Sequence, residues 1–254
     1  MKDLLKSLVL KMLSPEQSLK LRRYYLAREV LNKEGSKEVE HRILREFLVN
    51  GDSVIDIGAN VGAYTKEFSE IVGASGRVLA FEPVGENYVI LETVVRKAGL
   101  QNVTTYRAAL GAEVGTCDIV VPEMDGYTGY YWAHLTKTDE SGKRESVQVH
   151  TLDQLLVDRV VEAVDFIKCD VEGGELDVVR GAAELLKQQR PGWLMEVSKK
   201  NSEQIFALFF EAGYQAYVYG ERLQQTNTYR DKQFSNYFFF HPESSVWDRA
   251  RTLL

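Results

Sequence analysis

The sequence predicts an α/β fold: a doubly wound, mostly parallel sheet of seven strands, with helices on both faces and an N-terminal helical extension. Three observations carry that prediction. A short apolar run, Val54-Ile55-Asp56-Ile57, enters a glycine turn at Gly58-Ala59-Asn60-Val61-Gly62 and then a helical segment. That strand–turn–helix unit opens the nucleotide site of doubly wound folds. Strand-like and helix-like segments then alternate, which implies parallel strands joined by right-handed crossovers. Near the C-terminal end two strand-like runs lack a helix between them, so an antiparallel hairpin is expected at the sheet edge.

Residues up to Leu48 read as helical throughout. Met1 to Leu13 alternates Lys2, Lys6 and Lys11 with Leu4, Leu5, Leu8, Val9 and Met12. This basic amphipathic pattern favours packing on its own domain or on a second copy of the chain, as a homodimer, over contact with an anionic membrane surface. Charges interrupt its apolar stretch, so it does not read as a signal peptide. Ser14-Pro15-Glu16-Gln17 supplies an N-cap, a proline at the first helical position and a Gln to close a capping box. A second helix is expected from about Lys37 to Leu48, ended by Asn50-Gly51-Asp52.

Parallel strands are expected at Ser53–Ile57, Arg77–Phe81, Val103–Ala108, Val164–Cys169 and Trp193–Val197, followed by Tyr214–Tyr219 and Tyr237–Phe240. Helices are expected over Ala63–Ile71, Glu86–Ala98, Glu175–Leu186 and Ser202–Ala212. Gly115–Val121 and Glu145–His150 read as strands flanking a polar insertion. The chain divides into a helical extension (1–50), a cofactor-binding domain (51–242, insertion about 112–150) and a C-terminal helix (243–254).

A net charge of −6 argues against a nucleic-acid partner, which would call for a surplus of Lys and Arg. Cys117 and Cys169 are too few for a disulfide framework, which makes a reduced, cytoplasmic setting the default expectation. No apolar run is long enough to span a bilayer.

The turn itself discriminates between ligands. A dinucleotide site wants Gly-x-Gly-x-x-Gly, whose middle glycine lets backbone approach a pyrophosphate. Here Asn60 occupies that place, so a ligand without a pyrophosphate, such as S-adenosylmethionine (SAM), suits the loop better. Gly58 permits the sharp turn and Gly62 lets the helix start close to the strand. Asp56, at the strand end, is expected to pair with the ammonium of an amino-acid moiety. Glu82, directly after the second parallel strand, is placed to accept hydrogen bonds from both ribose hydroxyls and to repel a 2′-phosphate. Ala109, within Arg107-Ala108-Ala109-Leu110-Gly111, lies where an adenine would be covered.

A third segment, Asp165 to Glu175, delivers Asp170 and Glu172 to the carboxyl edge of the sheet. Each is a candidate to hold the methionine end of the donor or to take a proton from an acceptor hydroxyl. With Glu196 they offer oxygen ligands that suit Mg²⁺, although nothing in the spacing fixes a metal geometry and no metal ligand is assigned. Lys168 is expected to pair with an acid, and Glu175 to begin a helix as a favourable N-terminal charge. The insertion carries Met124, Tyr127, Tyr130, Tyr131, Trp132 and His134. These either face an acceptor, with His134 as a further base, or simply anchor the loop.

Taken together, Val54–Thr65, Phe81-Glu82-Pro83, Thr151-Leu152-Asp153, and Ile167 to Glu175 followed by Gly181 resemble the FkbM family of SAM-dependent methyltransferases. The resemblance covers about Asp52 to Phe240. It implies a Rossmann-like class I methyltransferase sheet of seven strands and methyl transfer to a hydroxyl on a sugar or natural product. The family's glycine loop carries over to Asp56, Gly58, Asn60 and Gly62, its ribose acid to Glu82, and its Asp-x-Glu-Gly motif to Asp170, Glu172 and Gly173. Asp170, Glu172 and His134, in that order, are the candidate bases. Alternatives are an N-methyltransferase or a SAM-binding interaction protein without catalysis; a nicotinamide dehydrogenase is disfavoured by Asn60.

Overall fold

A computed structural model describes residues 14–32, 39–121, 123–124, 127–128, 134–135, 143–230 and 234–254. The pattern at Met1 to Leu13, and the aromatics Tyr130, Tyr131 and Trp132, lie outside them. Helix α1 (Pro15–Asn32) opens with the expected capping box: the Ser14 N–H donates to Gln17 Oε1 at 2.9 Å and the Gln17 N–H to Ser14 Oγ at 3.3 Å. Helix α2 (Val39–Phe47) follows, and Gly51, at φ +100°, turns the chain into β1 (Ser53–Ile57).

The alternation then proceeds through α3 (Ala63–Val72), β2 (Arg77–Phe81), α4 (Gly85–Ala98) and β3 (Val103–Tyr106). Ala109–Leu110, expected near the end of the third parallel strand, forms a separate strand β4. It pairs with β9 (Lys143–His150) in a second sheet of order β4-β9-β5-β8, where β5 is Gly115–Val121 and β8 is His134–Leu135. Glu123–Met124 (β6) and Tyr127–Thr128 (β7) pair as a short hairpin.

Helix α5 (Leu152–Val157), β10 (Phe166–Cys169), α6 (Glu175–Arg180), α7 (Ala183–Gln188), β11 (Gly192–Glu196) and α8 (Ser202–Glu211) resume the winding. The single helix expected over Glu175–Leu186 is thus two. A Cβ on Gly181 would stand 2.0 Å from the Gly111 carbonyl oxygen, so the chain turns there to let two backbones touch. Thr151-Leu152-Asp153 clamps this turn. Thr151 Oγ1 caps α5 by accepting from the Gln154 N–H at 3.0 Å, and the Asp153 N–H donates to the Gly181 carbonyl at 2.9 Å. The Asp153 carboxylate accepts from the Glu184 and Leu185 N–H groups at the start of α7. Asp153→Ala should therefore cost about 1–2 kcal/mol of stability, the usual loss with a helix cap. A chemical-denaturation midpoint unchanged at constant slope would contradict it.

The chain ends with β12 (Gln215–Tyr219), β13 (Leu223–Thr226), β14 (Asn236–Phe240) and α9 (Ser245–Ala250). The central sheet runs β13-β12-β14-β11-β10-β1-β2-β3, parallel from β3 to β11, with β14 slotted antiparallel between β11 and β12. The expected β12–β14 pairing is present, but β13 adds an eighth strand beyond it. Leu223-Gln224-Gln225-Thr226 is too polar to announce a strand by apolar alternation; only Leu223 and Thr226 are buried.

Alternation along the strands divides the core. Ile55, Ile57, Ile167 and Met195 pack with α6, α7 and α8, whereas Val54, Phe166 and Leu194 pack with α2, α3 and α9. Asp56 and Lys168 stand two residues beyond Val54 and Phe166, on that second face.

Candidate active site at the carboxyl edge of the sheet

The carboxyl ends of β2, β1, β10 and β11 border a cavity of about 320 Å³, closed on one side by β4 and by Ile119 of β5. That volume falls within the range of about 300–1,000 Å³ usual for small-molecule sites. The glycine turn forms its floor. Gly58 has φ +72°, and a Cβ there would lie 1.8 Å from the Asp170 carbonyl oxygen. Gly62 has φ +91° where α3 begins, and a Cβ there would meet Leu91 of α4 at 2.8 Å. Asn60 adopts φ +52°, a left-handed conformation that Asn tolerates better than most residues.

Asn60 and Glu82 are one unit. The Asn60 N–H donates to Glu82 Oε2 at 2.8 Å, and the Val84 N–H donates to Glu82 Oε1 at 2.9 Å. Both oxygens retain a lone pair for a ligand hydroxyl. Glu82 is 4% exposed, and burial raises its pKa to about 7 against the pull of the two N–H groups. Ala108, Ala109 and Leu110 line the cavity wall beside it.

Asp56 is placed otherwise than expected. It is wholly buried on the α3 face, accepts from Thr65 Oγ1 at 2.6 Å, and lies 3.6 Å from Lys168 Nζ. It does not line the cavity, because strand alternation points it through the sheet rather than over its edge. Burial pushes its carboxyl up while Lys168 and Thr65 pull it back. Lys168 pairs with acids as anticipated: its Nζ is 3.5 Å from Asp170 Oδ2 and donates to the Gly58 carbonyl at 2.9 Å. Burial would lower its pKa, but Asp170 and Asp56 reverse that and hold it above the ordinary value.

Asp170, Glu172 and Glu196 come together at the β10–β11 end of the cavity. Glu172, at φ +51°, and Gly173, at φ +97°, make the turn that exposes this edge. Glu175 starts α6 but does more than balance its dipole: buried to 2%, its Oε1 accepts from the Val171 and Gly173 N–H groups and braces the turn. The Glu196 pKa is raised to about 7, first by burial and then by the neighbouring Asp170 carboxylate. Among the described residues, no group of three or more His, Cys, Asp or Glu is arranged to hold a metal ion. The backbone of His134 pairs with Val120 on the second sheet, and its side chain lies outside the described residues, as do those of Met124 and Tyr127.

Sequence reasoning missed Asn87 and Ile119, both of which line the cavity, and treated Glu196 only as a metal ligand. Asn87 lay within reach, in the first turn of the helix after Glu82. Ile119 did not, because it arrives from a second sheet whose pairing no local pattern encodes.

A mostly parallel sheet with an antiparallel strand slotted beside its last consecutive parallel member, and an acid-lined cavity at its carboxyl edge, is the architecture of a Rossmann-like methyltransferase domain. The methyltransferase FkbM domain matches residues 56–216, more than half of the sequence. The chain belongs to the FkbM methyltransferase family. Methyltransferase 1 of Beauveria bassiana (strain ARSEF 2860) is 26% identical over 148 residues, which cover 50% of this chain and 57% of that protein. The crystal structure of methyltransferase FkbM from Methylobacillus flagellatus KT shares the fold at a TM-score of 0.51 and 18% identity, covering 75% of this chain and 44% of that one. The chain thus spans about half the length of these relatives. Among the described residues, no helix is long and apolar enough to cross a membrane.

Proposed function

We propose that the chain transfers a methyl group from SAM to a hydroxyl on a sugar or natural-product acceptor. One observation carries the reading: the cavity is lined by Glu82, Asp170, Glu172 and Glu196, with no Lys or Arg among its described lining residues. Such a wall repels a pyrophosphate and accommodates a donor bearing a sulfonium and an ammonium. The residues therefore fit SAM. Glu82 would hold the ribose hydroxyls, Ala109 would cover the adenine, and Gly58 and Asn60 would admit the donor's backbone-hugging portion. The bound donor supplies an already activated methyl group.

What remains for the chain is orientation and one proton. Glu82 lies toward β2 and Glu196 toward β11, so an adenosine end at Glu82 directs the reacting end to Asp170 and beyond. An alcohol is a weak nucleophile while protonated. Asp170, beside Glu196 in the cavity wall, would take the hydroxyl proton as the new O–C bond replaces the methyl–sulfur bond of the donor. The helical extension, the cofactor-binding domain and the C-terminal helix divide the chain as in the sequence reading, under the same proposal.

Calorimetric titration with SAM, S-adenosylhomocysteine and NAD tests the donor. SAM and S-adenosylhomocysteine should bind and NAD should not; binding of NAD alone would overturn the reading. Methyl-labelled SAM offered with mixed hydroxyl- and amine-bearing acceptors tests the acceptor atom. Label recovered only on nitrogen would replace O-transfer with N-transfer.

A further inference from the structure

Two residues outside the stretch matched by the family domain, Glu40 and Asn236, meet at the carboxyl edge of the sheet. Asn236 opens β14 and stands directly opposite Glu196, the last residue of β11. Directly opposed residues of an antiparallel pair share a face. Here it is the face of Leu194 and Phe238, two residues away on each strand, which pack with α2, α3 and α9. Glu40 lies in the first turn of α2, and Asn236 Nδ2 donates to its Oε1 at 2.9 Å.

The first turn of α2 is held from a second side. The His41 ring lies 4.0 Å from that of Tyr64 in α3, and the Tyr64 ring lies 5.2 Å from Lys168 Nζ on β10. Strand β11 runs between β10 and β14, so these two attachments bracket Glu196. Glu196 in turn lines the cavity with Asp170. Crossed from β2 to β14, the edge therefore presents Glu82, Asp170, Glu196 and then the Asn236–Glu40 pair.

Glu40 and Asn236 are each half-buried, so neither is sealed from solvent. Among the described residues the bond to Glu40 is the only side-chain hydrogen bond of Asn236, which leaves its amide oxygen and a second N–H. Glu40 keeps its other oxygen. A ligand meeting this pair must both give and take hydrogen bonds. An ammonium only gives and an apolar group does neither, whereas each hydroxyl of a vicinal diol does both.

We propose that the Glu40–Asn236 pair is an acceptor subsite, taking two neighbouring hydroxyls of a neutral sugar while a further hydroxyl reaches Asp170. This rests on the SAM reading above and narrows its acceptor from any alcohol to a polyol.

The test is saturation-transfer NMR on the full chain loaded with S-adenosylhomocysteine, titrated separately with methyl α-D-glucopyranoside, cyclohexanol and cyclohexylamine. The glycoside should bind more tightly than either of the others; a glycoside that binds no more tightly overturns the proposal. Asn236→Leu and Glu40→Ala should each weaken the glycoside about tenfold, the loss of one well-placed hydrogen bond, with S-adenosylhomocysteine affinity unaltered. Glu40→Gln, whose amide oxygen still accepts from Asn236, should restore part of that loss. Arg45→Ala, which removes the ion pairs of α2 with Glu67 and Glu70, should cost stability without weakening the glycoside. Unaltered glycoside binding in both Asn236→Leu and Glu40→Ala overturns the proposal alone. So does an Arg45→Ala chain as impaired as Glu40→Ala, since that would mark helix docking as the cause. Should Asn236→Leu not fold, the comparison of Glu40→Ala, Glu40→Gln and Arg45→Ala decides. Failure of the unsubstituted chain to bind S-adenosylhomocysteine would instead bring down the SAM reading, and this proposal with it.

Discussion

Gly58→Ala should destabilise the chain by about 3–5 kcal/mol, a large part of the roughly 5–15 kcal/mol that holds a typical domain folded. Two costs add. An alanine at φ +72° is strained whatever the space around it, and the new methyl would stand 1.8 Å from the Asp170 carbonyl oxygen. The neighbour is backbone, held by the Asp170 N–H donating to the Ile57 carbonyl at 3.1 Å, so it cannot step aside as a side chain would. Either the β1 turn or the β10 edge must move, and both border the cavity. Denaturant unfolding gives the measurement. A loss within about 0.5 kcal/mol, the range of an ordinary surface change, would show that the two backbones are not in contact.

Asp170→Asn should lower kcat by about a hundredfold to ten-thousandfold, the usual contribution of a positioned base, with a smaller effect on SAM binding. The unsubstituted chain should show kcat changing as pH passes about 7, where Glu196 loses its proton. Glu196→Gln should abolish that inflection. A pH profile for Glu196→Gln that matches the unsubstituted chain would remove Glu196 from the mechanism. Two raised carboxyls, Glu82 and Glu196, contribute to the stability profile with one sign. Their folded pKa values of about 7 exceed the ordinary 4.5, so the fold binds their protons more tightly than the unfolded chain does. Their contribution is complete below about pH 4.5 and is lost as pH rises through 7, the reverse of a salt-bridged acid.

The sequence disclosed most of the frame and part of the site, and the division has physical reasons. Buried parallel strands such as Ser53–Ile57 and Arg77–Phe81 are short apolar runs between breakers, and the folded strands begin and end at those residues. Gly58 and Asn60 were legible because a turn that needs positive φ restricts residue type. Asp56 was not, because an acid at a strand end reads alike whether its side chain crosses the edge or turns through the sheet. The split at Gly181 depends on Gly111, seventy residues away; such a partner is assigned by packing and not by local pattern. Edge strand β13 was missed because two of its four residues are exposed glutamines.

Lys168 carries a consequence for the working cycle. Under the proposed reaction, methyl transfer would turn a doubly cationic region of the donor into a singly cationic one, so each turnover would change the charge opposite the acids. A site balanced by its ligand alone would feel every such change as repulsion among carboxylates. Here a permanent cation sits behind the edge, within 3.6 Å of Asp56 and 3.5 Å of Asp170, and is tied to the turn through the Gly58 carbonyl. Under the proposed reaction it would act as ballast: the chain keeps its own counter-charge, and product departure would leave the sheet edge in the shape in which the next donor must find it.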